Sequence, residues 1–141
     1  MHCRNILIVE DDLDILDALQ SLLTDEGYTV FTASNGKEGL EKLKTIEVPC
    51  LVLLDLMMPV MNGWEFLEAK KSDVVIATIP VIIVSALRAA SALGYEATPT
   101  IKSPVGYLKK PVGLEQLLTL VQEYCHPSSE STRSVSGPVS R

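Results

Sequence analysis

A chain of 141 residues fits one domain with a real core, and an apolar content of 47% with a mean hydropathy of +0.25 excludes a disordered one. The net charge of -6, from 12 basic and 18 acidic residues without a basic patch, argues against nucleic acid as a partner. Cys3, Cys50 and Cys125 lack metal-ligand spacing and read as reduced thiols of a cytoplasmic protein; no stretch has the pattern of a secretory signal or the length of a membrane span.

Asn5 to Val9 is a short apolar run that stops at Glu10-Asp11-Asp12, the pattern of a buried strand with carboxylates at its carboxyl end. Ile15, Leu16, Leu19, Leu22 and Leu23 recur at helical spacing, and Gly27 is a stop signal. Tyr28 to Ala33 is β-rich. Ser34-Asn35 can cap a helix over Gly36 to Lys44, with Leu40 and Leu43 inward. Pro49 introduces a second unbroken apolar run, Cys50 to Leu54, which suits the centre of a parallel sheet. Asp55 ends that run. Burying a carboxylate there is costly, so it faces solvent at the strand's mouth or has a cation beside it.

After the turn-rich Met61-Asn62-Gly63, a helix is expected from Trp64 to about Lys71, with Trp64 and Phe66 or Leu67 inward. Ile79 to Val84 is a further strand, closing on Ser85-Ala86. A short helix over 87–93 follows, then a segment to Val105 in which Pro99 and Pro104 disfavour a long helix. Val105 to Leu108 forms a short strand leading into Lys109-Lys110-Pro111. Leu114, Leu117, Leu118 and Val121 mark an amphipathic helix to about Tyr124. The domain is expected over 1–126, with a disordered, Ser-rich tail over 127–141. Strand and helix alternate five times, which predicts an α/β domain: a doubly wound, five-stranded parallel sheet with helices on both faces.

In such a sheet the strand ends share one edge, where chemistry sits. That edge carries Glu10, Asp11 and Asp12, then Asp55, Ser85 and Lys110. Crowded carboxylates need a cation to stay ionised, and an all-oxygen set suits Mg²⁺. A lysine and a hydroxyl facing the same point complement an anion beside the metal, best a phosphoryl group, and one carboxylate can be its acceptor. Asp12 reads better as an acid favoured at a helix N-terminus than as a ligand.

The segments Ile8-Val9-Glu10-Asp11-Asp12, Leu53 to Pro59 with Asn62-Gly63, Val84-Ser85-Ala86 and Tyr107 to Pro111 resemble, in order and spacing, the motifs of response-regulator receiver domains of two-component signalling. The resemblance runs from about Arg4 to Tyr124 and implies the flavodoxin-like receiver fold. It implies Asp55 as phospho-acceptor and Mg²⁺ held by Asp11, Asp55 and the Met57 carbonyl, with Glu10 alongside. It further implies Ser85 and Lys110 as phosphoryl partners, Ser85 and Tyr107 as the switch, and a cis Lys110-Pro111 bond. Met57 and Leu87 would flank the phosphoryl group, and both are apolar, which implies slow self-dephosphorylation. Between Ser85 and Lys110 the chain is longer than is usual in the family, so the fourth helix is expected to be short or irregular.

The implied role is a stand-alone response regulator, not an enzyme in its own right but assisting its own phosphorylation and dephosphorylation. It would receive its phosphoryl group from a histidine kinase or phosphotransfer protein and signal by docking on an unidentified downstream protein, with no nucleic-acid or membrane partner. The main alternative is a receiver-like interaction module that works without phosphorylation. A phosphatase with an Asp nucleophile needs an acid two residues later, where Met57 stands. A nucleotide binder needs a Gly-rich loop after the first strand, and none follows.

Overall fold

In the computed structural model, the described residues are 4–46, 50–58, 60–85, 106–110 and 113–125. They form β1 (Asn5–Val9), α1 (Leu13–Asp25), β2 (Thr29–Ala33), α2 (Gly36–Leu43), β3 (Cys50–Leu54), α3 (Gly63–Lys71), a 3-10 turn (Ile76–Thr78), β4 (Val81–Ser85), β5 (Gly106–Lys109) and α4 (Leu114–Tyr124). The helix expected over 87–93, the segment 95–105, the Lys110-Pro111 bond and the tail from 127 lie outside the described residues.

All four strand pairings are parallel, in the order β2-β1-β3-β4-β5. This is the expected α/β sheet with helices on both faces. The period of two along each strand sorts the core. Leu7, Val9, Val52, Leu54, Val81 and Ile83 face one way, against Leu43 of α2 and Phe66 and Leu67 of α3. Ile6, Ile8, Leu51, Leu53, Ile82 and Val84 face the other, against Leu16, Leu19 and Leu23 of α1 and Leu117 and Val121 of α4. Being covered on both sides is why β1, β3 and β4 are unbroken apolar runs.

Beyond one-residue shifts at element ends, two details differ from the sequence reading. Leu114 is exposed, because α4 begins there and only its later turns reach the sheet. The fourth strand starts at Val81, after Pro80, and includes Ser85; Pro80 instead contributes its carbonyl, which accepts from the Val52 N–H at 3.0 Å. Among the described residues no helix is long and apolar enough to cross a membrane.

The strand order fixes where a site can form. From β1 the chain goes to β2 on one side and returns to β3 on the other, so the carboxyl ends of β1 and β3 flank the crevice at which open α/β sheets bind ligands.

Candidate functional site

Three backbone hydrogen bonds extend the sheet ladders one step past the strands and so fix the residues that follow. Glu10 N–H donates to the Ala33 carbonyl at 3.0 Å, Asp55 N–H to the Val9 carbonyl at 3.0 Å, and Lys110 N–H to the Ser85 carbonyl at 2.9 Å. Glu10, Asp55 and Lys110 are thus placed by sheet backbone rather than by loops, and rigid elements hold a site best.

The side chains converge. Lys110 Nζ lies 2.9 Å from Glu10 Oε1 and 3.6 Å from Asp55 Oδ2. Glu10 Oε2 accepts from the Asp12 N–H at 3.1 Å, and Asp55 Oδ1 from the Met57 N–H at 3.3 Å. Oxygens of Glu10, Asp11 and Asp55 all lie within 4.8 Å of one another. Glu10 and Asp55 are buried, while Asp11 is exposed at the mouth. Asp12 turns away to cap α1, accepting from the N–H groups of Asp14 and Ile15 at 3.0 and 3.3 Å.

Of the two arrangements open to Asp55, the structure has the buried one, with a cation. Three carboxylates nevertheless face one ammonium. Burial pushes the Asp55 carboxyl up, against the pull of Lys110 and the Met57 N–H, and the Asp11 charge pushes it further. Burial likewise raises Glu10, partly offset by its hydrogen bond from Lys110, with the Asp55 charge adding to the rise. Burial alone would lower Lys110, but Glu10 and Asp55 outweigh it and hold the ammonium above its ordinary range. The site is short of positive charge. Three oxygen ligands, with one open to water, suit a hard divalent cation such as Mg²⁺.

The loop after Asp55 is tightly built. Gly63 N–H donates to the Leu56 carbonyl at 3.0 Å, and a Cβ on Gly63 would stand 2.6 Å from the Leu56 Cα and 2.8 Å from the Asp55 carbonyl oxygen. Only glycine lets α3 start this close to the acid. Asn62 and Glu65 close a capping box at that start. Between them and Asp55, Val60 holds φ 68°, a left-handed conformation disfavoured for a β-branched side chain.

Ser85 is fully buried at the end of β4, opposite Lys109 in the register with β5. Tyr107 is half-buried in β5, and burial raises its hydroxyl. Its Oη and the Trp64 Nε1 are buried without a hydrogen-bond partner. Lys109 is exposed.

Two features escaped the sequence reading. Val60 has no signal of its own, since backbone handedness is set by the loop. Lys70 had one: Gly63, Phe66, Leu67 and Lys70 share a helical face, and all four are buried.

The sequence profile described as "Response regulator receiver domain" matches residues 6–122. The chain is 37% identical over 122 residues to an "Uncharacterized 14.6 kDa protein in sodA1 3'region" of Leptolyngbya boryana, covering 86% of this chain and 89% of that protein. It is 35% identical over 126 residues to "Transcriptional regulatory protein CrdR" of Helicobacter pylori, covering 86% of this chain and 54% of that one, so it spans about half the relative's length. Among solved structures, a CheY-like response regulator receiver domain protein from Methanospirillum hungatei superposes with TM-score 0.72 at 30% identity, covering 86% and 92% of the two chains. The chemotaxis response regulator CheY4 of Vibrio cholerae superposes with TM-score 0.74 at 27% identity, covering 86% and 98%. The profile spans both switch-point strands, the acids after them and the lysine after β5, and on that match the chain belongs to the response regulator receiver domain family.

Proposed function

We propose that this protein accepts a phosphoryl group on Asp55 from a phosphohistidine of a histidine kinase or phosphotransfer protein, and passes the signal on by docking to another protein. The observation that carries this reading is the convergence of Lys110 Nζ on Glu10 and Asp55, at 2.9 and 3.6 Å, with Asp11 beside them at the mouth. A buried carboxylate flanked by a lysine and by oxygens fit for a divalent ion is what acyl-phosphate formation requires.

In this reading an Asp55 oxygen forms the new bond to phosphorus as the phosphorus–nitrogen bond to histidine breaks, and the histidine nitrogen takes a proton from solvent. Lys110 neutralises charge on the transferred oxygens, and Ser85 donates a hydrogen bond to one of them. Asp11, Asp55 and the Met57 carbonyl would hold Mg²⁺, with Glu10 alongside; bound there, the ion supplies charge neutralisation for the phosphoryl oxygens. The chain's own contribution is positioning and preorganised charge rather than acid–base chemistry. Movement of Ser85 toward the new oxygen, followed by Tyr107, would bias the two-state surface around β5.

The test is incubation with acetyl phosphate and Mg²⁺, read by intact mass. The wild type should gain one phosphoryl group and the Asp55→Asn variant none. Full labelling of that variant would refute the site. Transfer from a phosphorylated histidine kinase to the wild type, absent with Asp55→Asn, would extend the result to the protein donor.

A further inference from the structure

The sulfur atoms of this chain differ sharply in their access to solvent. Met57 is 55% exposed, Met58 9% and Cys125 0%, while Met61 is half-buried against the core, beside Gly36 at the start of α2. Oxidation of sulfur by hydrogen peroxide follows exposure. Among the described side chains Met57 is therefore the first sulfur an oxidant meets.

Its position gives that exposure a consequence. The Met57 N–H donates to Asp55 Oδ1 at 3.3 Å, which ties the Met57 backbone to the acceptor carboxylate. From that anchor beside the Asp55 carboxylate the thioether is a flexible, weakly accepting and solvent-exposed arm. A thioether orients water poorly. A sulfoxide oxygen is a strong acceptor and can hold a water beside the phosphoryl group.

We infer that Met57 is a redox modification site through which peroxide shortens the lifetime of phosphorylated Asp55, an inference that rests on the reading of Asp55 as phospho-acceptor. In the first step sulfur gives up two electrons and takes one oxygen from hydrogen peroxide, which leaves as water. In the second, the oxygen of the held water attacks phosphorus, the bond from phosphorus to the Asp55 oxygen breaks, a proton passes to solvent and inorganic phosphate departs. The carboxylate is regenerated, and reduction of the sulfoxide by a methionine sulfoxide reductase resets the timer.

The experiment uses the full chain. It is treated with hydrogen peroxide or left untreated, phosphorylated with acetyl phosphate and Mg²⁺, and freed of the donor. Decay of the phosphoryl form is then followed by intact mass, with peptide mass locating the added oxygen. We expect oxygen on Met57 and a lifetime at least threefold shorter, restored by methionine sulfoxide reductase. Peroxide should not change the lifetime of Met57→Leu, while Met57→Gln should decay fast without peroxide. The inference is overturned if Met57 carries the oxygen and decay is unchanged, if Met57 stays unoxidised, or if Met57→Leu responds to peroxide as the wild type does. Failure of the untreated wild type to take up phosphoryl at all would overturn the Asp55 reading and this inference together, and that outcome is visible before peroxide enters.

Discussion

The Lys110 ammonium is held by Glu10 rather than by the aspartate it would serve: it lies 2.9 Å from Glu10 Oε1 and 3.6 Å from Asp55 Oδ2. Glutamate's extra methylene, compared with an aspartate at this place, reaches across from β1 to a residue beyond β5. One ammonium is shared between two buried acids, and an exposed third acid adds to the deficit.

Substitutions on the two sides of this ion pair should therefore act in opposite directions. Without divalent ions, Lys110→Met leaves two buried carboxylates without a cation and should lower stability by about 2–4 kcal/mol. Asp55→Asn removes one of the competing charges and should raise it by about 1–2 kcal/mol. Because burial raises the Asp55 and Glu10 carboxyls, the folded state binds protons more readily there than the unfolded chain. Those two groups make stability fall as pH rises through the range above their unfolded values, and the fall should be smaller in Asp55→Asn. Urea denaturation across pH checks all three.

Divalent ion should relieve the same deficit. Mg²⁺ at a hundred times its dissociation constant should stabilise the wild type by about 2.7 kcal/mol, and Asp11→Asn should blunt the effect. Thermal melts with Mg²⁺ and with a chelator measure it. An equal response from Asp11→Asn would place the ion elsewhere.

Lys70 offers a pH signature far from the site. It is 2% exposed, its Nζ donates to the Ala77 carbonyl at 3.0 Å, and burial pushes its amine down to about 8 from an ordinary 10.5. Below pH 8 both folded and unfolded chains carry the proton, and the folded state bears the full desolvation penalty. Between about 8 and 10.5 only the unfolded chain holds the proton, so this group makes stability rise with pH. Lys70→Met should gain about 1–3 kcal/mol at pH 7, and the gain should shrink toward zero by pH 10.5. The difference between the two proteins' denaturation curves isolates this group from every other.

Val60 is 76% exposed and holds φ 68°, so its conformation is strained without packing in return. Val60→Asn should stabilise the domain by about 1 kcal/mol, since asparagine tolerates the left-handed region. Val60→Ala keeps a Cβ in that region and should recover much less. Equal gains from both would show that the side chain, and not the backbone, carries the strain.

Gly63→Ala tests the close approach of α3 to the acid. The added Cβ meets backbone, the Leu56 Cα at 2.6 Å and the Asp55 carbonyl oxygen at 2.8 Å, and no rotamer relieves it. A loss of about 2–3 kcal/mol is expected, together with slower labelling by acetyl phosphate as the Asp55–Leu56 backbone is displaced. Unchanged labelling would show that the proposed acceptor, Asp55, tolerates the shift.

Much of the fold was legible in the sequence. Short apolar runs bounded by breakers and stopping at an acid fit strands buried on both faces, so Ile6 to Val9 and Leu51 to Leu54 announced both the central strands and the edge at which Glu10, Asp11 and Asp55 lie. The turn-rich Met61-Asn62-Gly63 likewise placed the next helix within one residue of its observed start at Gly63, because turn chemistry is local.

Tertiary structure alone decided which charges pair. Lys110 stands a hundred residues from Glu10 and fifty-five from Asp55, and its choice between them depends on strand order and side-chain reach rather than on anything nearby in the chain. The burial of Lys70 on the inner face of α3, the exposure of Leu114 at the first turn of α4 and the left-handed turn at Val60 have the same origin. Periodicity tells which face a residue occupies, but whether that face is covered, and what the backbone must do to cover it, is settled only when the elements pack.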